Sequence, residues 1–200
     1  LYEANHYIDE YNNPDVIYGR MVYYKETDKK VIKITENNCD AVDFDGYRMS
    51  MKQTSDKPVY FSGAEMERVK LKILHQDDEA IVLGSSSANA YKRSVVLESM
   101  FDEDVRICED QIFNRNLLQS ISSCLIVPNE WYCYIQYHSS MLHDQSKDID
   151  LSKTFSYWDK IHAVDENESR IIKHYSNIHN IGLICDEIKK MSLSGKKYSQ

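Results

Sequence analysis

The chain has few of the residues that interrupt helices and strands, with 3 prolines and 6 glycines among its 200 residues. It also lacks any run of about 18 apolar residues, the length that a membrane-spanning helix needs. Its first residues have neither the basic region nor the apolar core of a secretory signal peptide. These absences exclude fibrous and membrane-spanning chains and predict a globular protein.

The cysteines lack any metal-binding or redox spacing. No two cysteines have the C-x-x-C spacing of zinc or thiol–disulfide sites. This pattern is typical of reduced, mostly buried side chains, and we therefore expect a cytoplasmic protein. The five positions are Cys39, Cys108, Cys124, Cys133 and Cys185.

Positive charge is limited, because the formal net charge of the chain is −8. An acidic protein has little general affinity for nucleic-acid phosphates, so nucleic acid is not an expected partner. The 42% of hydrophobic and 28% of charged residues suit one globular domain with a core of its own. The basic pair Lys92-Arg93 can still contact a diphosphate, although exposed pairs of this kind usually contact only solvent.

Helical and strand patterns alternate along the chain and predict a mixed α/β fold. We expect one mixed domain over residues 1–149 and a helical C-terminal extension over residues 150–200, with a flexible turn at residues 84–87. The predicted helices cover residues 1–11, 64–75, 110–121, 155–161 and 166–191. The predicted strands cover residues 16–24, 29–35, 80–83, 124–128 and 131–137.

An acidic pair, Glu109 and Asp110, lies at the first turn of the helix predicted for residues 110–121. Free backbone N–H groups and the positive end of the helix dipole stabilise carboxylates at such a position. A carboxylate that stays ionised there can accept a proton during catalysis. The residues alone leave open the alternative that this pair only caps the helix.

Four segments, taken in chain order, resemble the acceptor-side half of a family 2 glycosyltransferase. The resemblance covers residues 1–144, except for residues 39–83, which match poorly and are expected to form a variable insertion. It implies an incomplete GT-A fold whose nucleotide-binding half precedes Leu1. The four segments are D-V-I-Y-G at residues 15–19, A-Y-K-R-S-V-V-L at residues 90–97, residues 101–118 with their Glu-Asp pair, and N-E-W-Y-C-Y-I-Q-Y-H-S-S at residues 129–140.

The resemblance assigns Asp110 as the general base that takes the proton of the acceptor hydroxyl in an inverting sugar transfer. Glu109 matches the preceding acidic position, which contacts the acceptor or orients the loop. The donor would be a nucleotide sugar and the acceptor a saccharide or a lipid-linked glycan, in polysaccharide or cell-surface glycan synthesis. The expected location is the cytoplasm, at the inner face of a membrane.

The resemblance further implies substrate contacts and a divalent metal, Mg or Mn, in the complete enzyme. The expected substrate-binding residues are Lys92, Arg93, Tyr134, His138 and Ser140. The metal-binding D-x-D motif is expected upstream of Leu1, with His138 as a weak candidate for a metal contact. The spacing also occurs at residues 43–45 and 102–104, but neither follows an apolar strand.

Two other classes of function remain open at this point. One is a non-catalytic carbohydrate-binding or scaffolding module that keeps the shape of the fold. The other is a structural α/β interaction domain. In that case the isoleucine-rich helix at residues 166–191 would be the partner surface, and it could also form a homodimer.

Overall fold

The computed structural model describes residues 2–27, 30–35, 56–74, 85–101 and 109–137, together with separate positions between 163 and 188. The helices in the first five ranges are α1 (Tyr2–Glu10), α2 (Gly63–Leu74), α3 (Arg93–Glu98) and α4 (Glu109–Ser120). The strands are β1 (Val16–Glu26), β2 (Val31–Lys33), β3 (Val59–Ser62), β4 (Asn89–Tyr91) and β5 (Ser123–Gln136). The predicted mixed α/β class is confirmed.

The strands form one mixed sheet in the order β2-β1-β5-β3, with β4 also paired to β1. The two long strands, β1 and β5, are parallel, and Val16 lies opposite Cys124. The shorter strands β2 and β4 pair with β1 in antiparallel fashion, as β3 does with β5. Parallel neighbours need a crossover connection, and β4, α3 and α4 lie in the chain between β1 and β5.

A single long strand, β5, replaces the two strands predicted for residues 124–128 and 131–137. The two-strand prediction is wrong because Pro128 does not end the strand. The register between β1 and β5 shifts on either side of Arg20, which marks a bulge next to the proline. Proline is tolerated at a bulge because the extra residues there need no ladder hydrogen bond.

The core lies on both faces of the sheet, because successive side chains of a strand point to opposite faces. Val16 and Tyr18 of β1 pack in a cluster with residues of α2, α3 and α4. Ile17 packs in a second cluster, against which Tyr7 and Tyr11 at and just beyond α1 are packed. Helix α4 is fixed against the sheet by four buried core residues: Ile112, Phe113, Leu117 and Leu118.

The described part of residues 39–83 belongs to the body of the fold. It provides the edge strand β3 and the helix α2, which confirms the helix predicted for residues 64–75. Met66 and Val69 of α2 are buried in the core. The variable insertion and the domain division at residue 149 stay predictions.

The C-terminal positions that the structure describes from 166 onward are helical, as predicted. Ile171 and Ile172 are buried, and Ile171 belongs to the core on the α4 face of the sheet. Ile181, Ile184 and Ile188 are exposed. Of the isoleucines that the structure describes here, the first two are therefore buried and the last three are not.

The prediction that the cysteines are mostly buried is confirmed in part. Cys124 is buried as expected, but Cys133 and Cys185 are exposed, so the prediction of burial is wrong for them. Cys133 lies in the second half of β5, and Cys185 lies at one of the C-terminal helical positions. None of the helices within the described ranges is long and apolar enough to span a membrane.

Other predicted elements lie outside the described residues. These are the strand at residues 80–83 and the helix at residues 155–161, as well as Cys39 and Cys108. The sequence analysis did not anticipate β3, β4 or α3. Each of them is short, at 4, 3 and 6 residues, and gives little periodic signal.

Candidate active site

The acidic pair lies at the first turn of α4, where the sequence places it. Helix α4 ends at Ser120 and β5 begins at Ser123, so a very short connection joins them. The helix and the strand therefore run in opposite directions along the sheet. The first turn of α4 therefore lies toward the carboxyl ends of the parallel strands, the usual side for a site in such folds. Both Glu109 and Asp110 are half-buried.

A turn at residues 85–88 faces this end of α4. The Ser85 carbonyl accepts hydrogen bonds from Nδ2 of Asn114 at 2.9 Å and from Nδ2 of Asn89 at 3.4 Å. The Ser87 backbone N–H donates to Oγ of Ser85 at 3.1 Å. The predicted turn is confirmed in its described part, and these bonds tie it to Asn89 and Asn114. Its flexibility stays a prediction.

The same turn contacts the carboxylate that the sequence assigns as the base. Ser86 donates from Oγ to Oδ1 of Asp110 at 2.5 Å. That length is typical of a hydroxyl donating to a charged carboxylate. Within the described ranges, no hydrogen bond reaches Oδ2 of Asp110.

Tyr91 completes a polar network between β4 and α4. Its hydroxyl receives a hydrogen bond from Nδ2 of Asn89 at 2.8 Å and donates to Oδ1 of Asn114 at 3.1 Å. Burial raises the pKa of Tyr91 to about 12, and the charge of Asp110 adds to this increase, against the Asn89 hydrogen bond. The phenol therefore stays protonated at neutral pH and keeps its role as donor. Asn114 is buried one helical turn after Asp110, on the same side of α4.

Gly19 of β1 holds the other side of the turn. Its backbone N–H donates to the Ala88 carbonyl at 2.9 Å. A Cβ at position 19 would lie 2.7 Å from that oxygen and 2.7 Å from the ring of Trp131. Ala88 itself has a φ of 64°, a left-handed conformation that costs energy in a residue with a side chain. The turn therefore packs so closely against β1 that only glycine fits at position 19.

Lys92 lies at the other end of the short strand β4 from this turn, in an ion pair with Asp15. Its Nζ is 3.1 Å from Oδ1 of Asp15, and its backbone N–H donates to the Asp15 carbonyl at 2.9 Å. Oδ2 of Asp15 accepts from the backbone N–H and the hydroxyl of Ser122, both at 2.8 Å, and from the Ser123 N–H at 3.2 Å. Lys92 therefore has a structural role, and its predicted contact with a phosphate stays a prediction.

Among the described residues, no hydrogen bond or ion pair joins Arg93 or Tyr134 to Asp110. Arg93 begins α3 and is exposed. Tyr134 lies in the second half of β5, where its ring packs against Tyr23 with centroids 5.4 Å apart. Burial raises the pKa of Tyr23 to about 12, with a smaller contribution from Tyr134.

His138 and Ser140 lie outside the described residues, as do the D-x-D spacings at residues 43–45 and 102–104. In the ranges that the structure does describe, no group of three or more His, Cys, Asp or Glu side chains could hold a metal ion. The described residues therefore do not supply the expected Mg or Mn site.

The sequence analysis identified Asp110 but missed the residues around it. Ser86, Asn89, Tyr91 and Asn114 were not singled out as site residues. The serine-rich segment at residues 85–87 gave a turn signal, but nothing in it indicated which helix the turn would contact. Tyr91 was part of the segment 90–97 that resembles the glycosyltransferase family, without a role of its own.

In comparisons with known proteins, the chain matches no protein-family model and no curated protein.

Proposed function

We propose that this protein is an inverting glycosyltransferase, or the acceptor-side part of one, that uses Asp110 as its general base. The supporting observation is the geometry of this carboxylate. Ser86 donates to one of its oxygens at 2.5 Å, and the other has no donor among the described residues. Together with the family resemblance of residues 90–97, 101–118 and 129–140, this favours catalysis over simple helix capping.

The reaction moves a sugar from a nucleotide sugar to a hydroxyl of the acceptor. The acceptor oxygen forms a bond to the anomeric carbon while the bond from that carbon to the diphosphate oxygen breaks. The hydroxyl proton passes to Oδ2 of Asp110, and the electron pair of the broken bond leaves with the nucleoside diphosphate. A neutral hydroxyl is a poor nucleophile, so removing its proton as the bond forms lowers the barrier. The charge that develops on the sugar resembles that in glycoside hydrolysis.

The surroundings of Asp110 suit the carboxylate of a general base. The first turn of α4 provides free N–H groups and the positive end of the helix dipole. The protonated phenol of Tyr91 and the buried amide of Asn114 hold the neighbouring turn without adding a competing negative charge. Glu109 is half-buried beside Asp110. The resemblance gives it the role of contacting the acceptor or orienting the loop.

The donor side of the site is assigned by the resemblance alone. Its expected contacts are Arg93, His138 and Ser140, whereas Tyr134 is expected in the acceptor groove, and the family binds its Mg or Mn ion through a D-x-D motif. No described residue is assigned to that metal. The proposed setting is the inner face of a membrane, in the synthesis of a surface polysaccharide.

The alternative is a carbohydrate-binding module without catalysis. One observation favours it: the ammonium of Lys92, a cation expected near the diphosphate, is already paired with Asp15. A binding module would use the same polar surface around Asn89 and Asp110 to recognise a glycan. It would need neither a donor nor a base.

The test is a substitution of the base in the complete natural protein. UDP-glucose, UDP-galactose, UDP-N-acetylglucosamine and GDP-mannose are supplied singly with Mg²⁺ or Mn²⁺ and a panel of saccharide acceptors. Release of the nucleoside diphosphate is measured. Asp110→Asn should lower kcat at least about a hundredfold, the usual contribution of a general base, and leave donor affinity unchanged.

Two variants serve as controls. Glu98→Gln, at an exposed position of α3, should not affect turnover, and Glu109→Gln should act mainly on the KM of the acceptor. If Asp110→Asn turns over like the natural protein, Asp110 is a helix cap and not the base. Binding to a glycan array without release of nucleotide would favour the carbohydrate-binding alternative.

A further inference from the structure

The carboxylate of Asp110 is anchored by a turn that is itself held from three directions. The Gly19 N–H of β1 donates to the Ala88 carbonyl at one end of the turn. Asn89, at the start of β4, and Asn114, on α4, both donate to the Ser85 carbonyl at the other end. The residue between these fixed ends that reaches the acidic pair is Ser86.

The backbone of this turn stores strain that the surrounding contacts must balance. Ala88 has a φ of 64°, although alanine strongly disfavours positive φ. Such a conformation persists only where the neighbouring structure fixes it, and it is found often at functional sites. Here the fixing contacts are those of Gly19, Asn89 and Asn114.

As a result, the two oxygens of the Asp110 carboxylate have different surroundings. Oδ1 accepts the Ser86 hydroxyl at 2.5 Å, while Oδ2 has no donor in the described part of the chain. A carboxylate attached through one oxygen loses rotational freedom, and its second oxygen is kept in a defined direction. Catalysis gains when a reacting group is held in its productive orientation before the substrate arrives.

We propose that Ser86 is a positioning residue, which holds Oδ1 of Asp110 so that Oδ2 is directed at the acceptor hydroxyl. This inference rests on the proposed function, because it gives Asp110 the role of base. Ser86 itself does not exchange a proton with the substrate. Its effect on the reaction passes entirely through the carboxylate that it orients.

The test is a double-mutant cycle on the transfer reaction, measured with the same four nucleotide sugars and acceptor panel. Ser86→Ala should lower kcat about tenfold or more, the usual effect of losing one hydrogen bond to a charged group. The KM values of donor and acceptor should stay unchanged. Ser86→Thr keeps the hydroxyl and should restore most of the rate, whereas Ser94→Ala, at an exposed serine of α3, should leave kcat as it is.

The double variant separates the role of Ser86 as a positioning residue from the role of Asp110 as the base. If Ser86 acts only through Asp110, then Ser86→Ala combined with Asp110→Asn is no slower than Asp110→Asn alone. An active Asp110→Asn protein overturns the proposed function. Two results overturn only the positioning role, in each case with Asp110→Asn slowed as expected. One is a Ser86→Ala protein with unchanged kcat. The other is a double variant in which the two losses of kcat are fully additive.

A crystal structure of the protein provides a readout that does not depend on activity. We expect Oγ of Ser86 within hydrogen-bond distance of the Asp110 carboxylate in the natural protein, and a rotated carboxylate in the Ser86→Ala protein. A separation of more than about 3.5 Å in the natural protein overturns the inference, because no hydrogen bond exists at that distance.

Discussion

Two tyrosine hydroxyls near the site differ in their hydrogen bonds. Tyr91 has partners in Asn89 and Asn114. Tyr18, which is 2% exposed, has no partner for its hydroxyl among the described residues. Burial raises the pKa of Tyr18 well above 10, so the hydroxyl keeps its proton and its need for an acceptor. An unsatisfied polar atom in the core costs stability, so the two residues should respond in opposite ways to loss of the hydroxyl.

We predict that Tyr18→Phe leaves the free energy of unfolding unchanged or raises it by about 1 kcal/mol, because it removes a buried group without a partner. Tyr91→Phe, the matched control, should lower it by about 1 to 2 kcal/mol, because it leaves two asparagine side chains short of a partner. Urea unfolding at pH 7 measures both values. If both variants lose stability equally, the Tyr18 hydroxyl is hydrogen-bonded in solution.

At the scale of elements, the contact between β1 and the turn at residues 85–88 leaves no room for a side chain at Gly19. The Cβ of an alanine there would lie 2.7 Å from the Ala88 carbonyl oxygen. We predict that Gly19→Ala lowers the free energy of unfolding by about 1 to 3 kcal/mol, the usual range for overpacking. Since the turn must move to relieve the clash, the variant should also lose transfer activity, through the contact between Ser86 and Asp110.

Gly63 provides the control for this prediction. A Cβ at Gly63 would meet no atom within 4 Å, but its φ is +55°. Gly63→Asn should therefore change stability little, because asparagine tolerates positive φ, and it should leave turnover unaffected. The steric argument for Gly19 fails if Gly19→Ala is as stable and as active as the Gly63→Asn protein.

The sequence predicted the elements whose periodicity is strong and local. Both α1 and α4 were anticipated within one or two residues at each end, and the asparagine–proline segment that follows α1 adopts the expected non-helical backbone. Predicting β5 as two strands failed at Pro128, since the bulge that accommodates a proline depends on the partner strand. The three residues of β4 are too few to show a period.

The candidate site was predictable only in part, for a physical reason. Asp110 could be proposed because a carboxylate at a helix start has a local signature and because its segment resembles a known family. Ser86 lies 24 residues earlier in the chain, and its contact with Asp110 exists only once β4 has paired with β1. The same holds for Asp15 and Lys92, whose ion pair joins positions 77 residues apart.

At the scale of the whole molecule, Asp15 ties together three segments that are distant in sequence. Its carboxylate joins the start of β1 to Lys92 before α3 and to the Ser122–Ser123 backbone at the start of β5. The side chain is only 9% exposed, so water competes little for these bonds. The parallel pairing of β1 with β5 therefore begins at a carboxylate that accepts hydrogen bonds from four donors.

This arrangement predicts how stability depends on pH. Burial alone would raise the pKa of Asp15, but the hydrogen bonds from Ser122 and the ion pair with Lys92 outweigh it and lower the pKa from 3.8. The carboxylate binds a proton more readily in the unfolded chain than in the folded one. Its stabilisation is therefore complete above about pH 4, near the unfolded pKa, and is lost as the pH falls through the lower folded value.

We predict that Asp15→Asn lowers the free energy of unfolding at pH 7 by about 2 kcal/mol, because an amide cannot replace a charged acceptor of four donors. The difference from the natural protein should stay constant down to about pH 5 and narrow below about pH 4, where the natural protein begins to lose its advantage. Urea unfolding at steps from pH 7 to pH 3 measures this difference. Asp56→Asn, at an exposed position, is the control and should track the natural protein at every pH. A difference for Asp15→Asn that is small at pH 7, or that does not narrow in acid, would show that the start of the parallel strand pair does not depend on this carboxylate.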